Sequence, residues 1–171
     1  MLVKISERQL KYILEQAPIQ QKPNQFTKFD LADKARDYVP PFTPLNFVRE
    51  VIKQGIKHPD IVVAQALLES KHFKSDLFLA NNNPFGMKFA RQRKTTAIKE
   101  NRHQAYYKNW VDAVKDYKLF QEARNMTNLS REDYLKKLNL IYCPPPACQH
   151  ENYAKFVTSV LPNASTLMAK I

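Results

Sequence analysis

Between Pro59 and Glu69 the chain offers a helix with almost no polar face. Ile61, Val62, Val63, Ala64, Ala66, Leu67 and Leu68 fill most of PDIVVAQALLE. A helix that is apolar nearly all round belongs inside a core, with other elements wrapped around it. Pro59 suits the first helical position and Asp60 the first turn. The segment ends on a carboxyl group, Glu69. An asparagine- and glycine-containing turn follows, with Phe85 in it. A carboxyl group at the edge of an apolar helix is a candidate general acid.

The rest of the chain reads as further helices. Ser6 with Gln9 has capping-box spacing, and Ile5 with Leu10 resembles a hydrophobic staple, which predicts a helix to about Gln16. Residues 18–27, rich in Pro and Gln, read as a connector, and a short helix is expected over 31–38. Thr43-Pro44 opens the next helix, with Phe47, Val48, Val51 and Ile52 as its apolar stripe and Gly55 at its end. Between Phe85 and Tyr107 the helical period is lost. Thr95, Thr96, Ile98, Tyr106 and Tyr107 suggest a small irregular β-hairpin. Asn109 and Asp112 cap a helix whose inward face is Trp110, Ala113, Val114, Tyr117 and Phe120 or Gln121. Ser130 and Asp133 cap another, with Leu129 and Tyr134 at staple spacing. A last core helix carries Tyr153, Phe156, Val157, Val160 and Leu161, and Pro162 is expected to end it. The fold class is therefore mainly α: a helical domain around a buried central helix, with one small β-hairpin. Residues 1–43 form an N-terminal helical extension or arm, and 44–171 the main domain.

Composition narrows the function classes. Two glycines in 171 residues argue against a nucleotide fold with a glycine-rich phosphate loop. The hydrophobic fraction of 44% is ordinary for a soluble domain. No apolar run approaches the roughly 18–20 residues needed to span a membrane. The first residues show no signal-peptide pattern, because charges interrupt them throughout. The net charge of +11 favours an anionic partner or serves general solubility. The basic residues are scattered, without a recognition helix or nucleic-acid motif. Cys143 and Cys148, in CPPPAC, form the only cysteine pair. They fall short of the four ligands of a zinc site, and His72, His103 and His150 lack ligand spacing, so no metal is expected. In an oxidising compartment the pair could close a small loop; in a reducing one it would be two thiols.

Burial raises a carboxyl pKa by disfavouring the charged form, and the negative end of a helix does the same. Both would keep Glu69 protonated. The competing reading places Glu69 at the surface, paired with Lys71 or Lys74.

ALLESKHFKSDLFLANNNPFGMK resembles the signature of the bacterial N-acetylglucosaminidases of glycoside hydrolase family 73. The shared elements are Glu69-Ser70 after an Ala-rich helix, Lys74-Ser75, Asn82-Asn83-Pro84, and Phe85-Gly86-Met87-Lys88. TTAIKENRHQAYYKNWVDAVKDY is similar to the family's hairpin and following helix, and ENYAKFV to its final Tyr-Ala motif. The resemblance covers about residues 44–161. After Ser70 the family usually shows Gly or a small aromatic pair, whereas Lys71-His72-Phe73 stands here. Pro84 replaces a common apolar residue.

The resemblance implies a lysozyme-like fold with Glu69 as the catalytic acid. It implies cleavage of the β-1,4 bond after N-acetylglucosamine in peptidoglycan, without a cofactor. Glu100, in the presumed hairpin, stands where some members carry a second acid, although its polar KENRH setting also reads as a solvated loop. Without it, the substrate's 2-acetamido group or a positioned water would complete the reaction. Tyr153 matches a cleft tyrosine. Asn82, Asn83, Phe85, Gly86 and Tyr106 are the remaining substrate-site candidates, and Trp110 is left to the core. The expected partner is the glycan strand, met by a monomer, with neither nucleic acid nor membrane insertion. Action on the cell wall, periplasmic or extracellular, without a visible signal peptide suits a phage-encoded protein or a non-classical delivery route. Muramidase, lytic transglycosylase, non-catalytic glycan-binding module and basic nucleic-acid-binding protein are the competing readings.

Overall fold

The computed structural model describes residues 38–144 and 152–171. Within them are six helices and one antiparallel two-stranded sheet. In chain order these are α1 (Pro44–Lys53), α2 (Pro59–Glu69), α3 (Asp76–Asn81), β1 (Lys99–Asn101), β2 (Gln104–Tyr106), α4 (Trp110–Ala123), α5 (Arg131–Tyr142) and α6 (Tyr153–Met168). The fold is mainly α with a small hairpin, as the sequence implies. The expected helix at residues 6–16, the connector at 18–27 and the short helix short of Tyr38 lie outside the described residues. So do Cys148 and His150.

The apolar run places α2 at the centre. Ile61, Val62, Val63, Ala64 and Ala66 are fully buried, and Leu67 nearly so. Burying each large aliphatic side chain contributes about 1.5–3 kcal/mol, which makes α2 the axis of the core. α6 packs along it, and α1 covers another side. Side-chain caps start the surrounding helices. Thr43 accepts from Asn46 N, Asn109 from Asp112 N and Ser130 from Asp133 N. Each relieves a backbone N–H that the helix itself cannot satisfy.

Three helix expectations need correction. Ile52 is 46% exposed while Glu50 is buried, so the inward stripe of α1 is rotated toward Glu50. Gln54 Nε2 donates to the Glu50 carboxylate at 2.6 Å, which offsets that burial. Phe156 lies on the flank of α6 and is 44% exposed; Val157 and Ala164 are the fully buried residues there. Pro162 does not end α6, which runs to Met168. Its missing N–H faces solvent, where water can satisfy the freed Thr158 carbonyl. Beyond it, Ala164, Leu167 and Met168 pack on the core and hold the added turns.

The β excursion is smaller than the sequence suggests. The pairing is Lys99 with Tyr106, Glu100 with Ala105 and Asn101 with Gln104. Thr95 and Thr96 lie outside the strands. Thr96 binds α4 instead, its Oγ1 donating to the Asp112 carbonyl at 2.6 Å and its N–H to Asp116 at 3.2 Å. Tyr107 is fully buried and donates its hydroxyl to Asp116 at 2.7 Å.

Directly after α2 the backbone does something unusual. Lys71, His72 and Phe73 are all left-handed, with φ of 51°, 57° and 63°. An L-residue in that region costs roughly 1–2 kcal/mol. Surrounding contacts hold the turn. Ser70 Oγ accepts from Phe73 N at 2.8 Å, His72 N donates to the Leu67 carbonyl at 2.7 Å, and Lys74 and Ser75 N both donate to Ser70 O. Phe73 is thereby driven into an aromatic cluster with Phe42, Phe47 and Phe78. Trp110 closes the cluster against Phe42 and Phe47, its indole N–H donating to the Pro40 carbonyl at 3.1 Å. Trp110 is thus a core residue.

Candidate active site

α2 delivers Glu69 to the wall of a cleft of about 860 Å³, whose other walls come from residues 86–93 and the ends of α4 and α5. Three features fix the carboxyl group. It is the last residue of its helix, where the dipole disfavours negative charge. The Tyr153 hydroxyl, at the start of α6, donates to Oε1 at 2.6 Å. Gly86 leaves the other oxygen uncovered: a Cβ on Gly86 would stand 2.8 Å from Oε2. Gly86 also has φ +61°, so glycine is required there twice over. Burial raises the Glu69 pKa above the ordinary carboxylate range, and the Tyr153 hydrogen bond opposes the rise without cancelling it. The alternative of a surface ion pair with Lys71 or Lys74 is not what forms. Glu69 is half-buried and neither lysine pairs with it.

A buried polar layer supports this end of α2. Gln65, one turn before Glu69, is fully buried, and its Oε1 accepts the Tyr117 hydroxyl at 2.6 Å. Tyr117 meets the Tyr134 hydroxyl at 3.0 Å, and Gln121 Nε2 donates to Tyr134 at 2.7 Å. Burial pushes the Tyr134 phenol up to about 12. Gln65 Nε2 makes no well-formed hydrogen bond. It nevertheless lies close enough to Tyr142 and Tyr153 to counter part of the upward push on both phenols, which comes first from burial and then from the Glu69 charge. The Tyr142 and Tyr153 rings stack, 5.0 Å apart and 9° from parallel. Tyr153 is therefore held on both sides of its hydrogen bond to Glu69.

The remaining candidates divide. The Asn-rich turn is a scaffold that joins α3 to the hairpin. Asn82 Nδ2 donates to the Tyr107 and Lys108 carbonyls at 3.1 and 3.3 Å. Asn83 is buried and donates to the Met87 and Ala105 carbonyls at 2.8 and 3.1 Å, while accepting from Met87 N. Phe85 is fully buried with its ring against Phe47 and Tyr117, so it has no face left for a ligand. Tyr106 is half-buried, with the Lys99 ammonium over its ring at 5.1 Å. Glu100 lies on β1, exposed, 3.1 Å from Arg91 and 3.9 Å from His103. The structure thus brings together Glu69, Gly86 and Tyr153, and puts Asn83 and Phe85 beneath the surface.

Sequence reasoning missed Gln65, Tyr142 and Arg93. Gln65 carried a readable signal: it is the lone amide in the apolar run and stands four residues before Glu69, on the same helix face. Tyr142 and Arg93 carried none, because long-range packing alone brings them to the site. Arg93 holds the cleft-lining strand of chain onto α4, its fork binding Asp116 at 2.8 and 2.9 Å.

Comparison with known proteins identifies the family. The family model named Glucosaminidase, described as mannosyl-glycoprotein endo-beta-N-acetylglucosaminidase, matches residues 46–165. No curated protein and no solved structure matches the chain. The matched span takes in all six helices except the ends of α1 and α6, together with Glu69, Gly86 and Tyr153. With well over half of its length covered, this chain belongs to the Glucosaminidase family and is a glycoside hydrolase.

Proposed function

We propose that this enzyme hydrolyses the β-1,4 bond after N-acetylglucosamine in bacterial peptidoglycan, with Glu69 as general acid. The observation that carries the reading is a carboxyl group, raised in pKa by burial, in the wall of a cleft large enough for sugar rings. Because Tyr153 donates to Oε1, the carboxyl proton belongs on Oε2. Oε2 faces Gly86, whose missing side chain leaves room for a glycosidic oxygen. Proton transfer from Oε2 to that oxygen accompanies cleavage of its bond to the anomeric carbon. The carboxylate left behind keeps the Tyr153 hydrogen bond, which favours the charged form.

The second step adds water to the anomeric carbon, directly or after attack by the substrate's own 2-acetamido oxygen. Glu100 is the protein's candidate base. Its exposed position and its engagement by Arg91 favour the substrate-assisted route. The site acts on wall glycan in the periplasm or outside the cell, as a monomer.

The test is digestion of purified peptidoglycan, borohydride reduction and mass analysis of the fragments. Reduced N-acetylglucosamine at the new ends is the expected product. Reduced N-acetylmuramic acid would make the enzyme a muramidase, and anhydro ends a lytic transglycosylase.

A further inference from the structure

The charge of the cleft is one-sided. Lys88, Arg91, Arg93 and Arg124 line it, against the single carboxyl group of Glu69. Two of these cations are engaged. Asp116 binds the Arg93 fork through both oxygens, and Arg91 meets Glu100 at 3.1 Å. Lys88 and Arg124 have no ion-pair partner among the described residues. Both are exposed to solvent, and they come from separate elements, Lys88 two residues beyond Gly86 and Arg124 at the C-cap of α4. Glu69 supplies no countercharge while it holds its proton. Phe120, Ala123, Ile141 and Tyr142 give the same cleft an apolar wall for sugar faces. A concave surface with uncompensated cations concentrates anions.

We propose that Lys88 and Arg124 form an anion subsite that takes a carboxylate borne by the glycan, so that the enzyme selects acidic strands over neutral ones. The inference rests on the peptidoglycan reading above, and it adds which residues read the acidic character of the substrate. The carboxylate has two sources: the lactyl group where the sugar carries no peptide, or the peptide where it is attached through that group.

The test compares the full-length wild type with Lys88→Gln, Arg124→Gln and the double variant. Three soluble strands of equal length are used: an N-acetylglucosamine oligomer, an alternating strand with free lactyl carboxylates, and the alternating strand carrying stem peptides. The readout is the ratio of kcat/KM on acidic strands to kcat/KM on the neutral one, with equilibrium Kd replacing it for any strand that is bound but not cut. In the double variant the ratio falls about tenfold, equivalent to about 1.4 kcal/mol. The loss lies mainly in KM, and the dependence on salt flattens. A fall on the free-lactyl strand alone assigns the lactyl carboxylate, a fall on the peptide-bearing strand alone assigns the peptide, and a fall on both shows that the subsite takes either. An unchanged ratio on both acidic strands, or an equal loss on all three, overturns the subsite. If the wild type cuts no strand, the peptidoglycan reading fails instead, and the Kd ratios still decide the subsite.

Discussion

The chain has two glycines, and both are left-handed, which makes an internal control available. Gly86 has φ +61° and Gly55 has φ +64°. Alanine at either position carries a backbone cost of roughly 1–2 kcal/mol. The surroundings differ. The nearest atom to a Cβ at Gly55 is the Lys118 ammonium nitrogen at 3.7 Å, an ordinary contact. At Gly86 it is Glu69 Oε2 at 2.8 Å, which must retreat to at least 3.4 Å. The carboxyl group is the far end of a flexible side chain, so it can retreat at little cost in stability. It cannot do so without leaving its place between Gly86 and the Tyr153 hydroxyl. A misplacement of about 1 Å in a catalytic group can cost on the order of 10²-fold, so a retreat of this size should cost tenfold or more. Gly86→Ala and Gly55→Ala are therefore expected to lose similar stability, about 2–4 °C in Tm for each kcal/mol. Only Gly86→Ala should lose wall-hydrolysing activity, mainly in kcat. Thermal melts paired with dye-release kinetics on labelled wall would measure both. Equal activity in the two variants would refute the placement of Glu69 against Gly86.

Lys71→Gly should stabilise the protein by about 0.5 kcal/mol, because relief of the left-handed strain exceeds the added freedom of the unfolded chain; a urea midpoint at or below that of wild type would contradict this. Tyr153→Phe removes the hydrogen bond that opposes the burial-driven rise in the Glu69 pKa. The high-pH limb of the activity profile should therefore move further up while kcat falls, and a limb that stays in place or moves down would argue against the contact. Asp116→Asn removes the charge that the fully buried Asp116 offers the partly buried Arg93 guanidinium and should cost about 1.5–3 kcal/mol in denaturant melts. Burial alone would raise the Asp116 pKa, but the hydrogen bonds from Arg93 and Tyr107 and the charge of Arg93 bring it below the ordinary range of an aspartate. Its stabilisation is thus complete above the unfolded-state pKa and is lost as pH falls through the lower folded one. The gap between variant and wild type should narrow in acid, and a gap independent of pH would show that the pair is not ionic.

What was legible in the sequence was what local chemistry dictates. The apolar run of α2 can be satisfied only by burial, so its central position and the setting of Glu69 follow from residues 59–69. Thr43, Asn109 and Ser130 announced helix starts because a cap needs only its next three residues. Ile52, Phe156 and Pro162 misled because each sits beside a buried stripe, and only neighbouring helices decide which way the stripe turns. The six-residue helix α3 is too short to show a period. The left-handed run at Lys71, His72 and Phe73 was hidden because none of the three is glycine; burial of Phe73 and the Ser70 hydrogen bonds impose it. Phe85 and Asn83 looked like site residues because they stand in the signature turn. Their side chains serve the turn from beneath, while the polar layer of Gln65, Tyr142 and Tyr153 is assembled by residues up to 88 positions apart.

The central claim is that Glu69 gives up the proton that cleaves the glycan. The most direct measurement is the rate of peptidoglycan hydrolysis by Glu69→Gln, whose amide has nearly the same shape but no proton to transfer. A loss on the order of 10²–10⁴-fold or more, with an unchanged circular dichroism spectrum, is predicted. A rate within a fewfold of wild type in the folded variant would contradict the account.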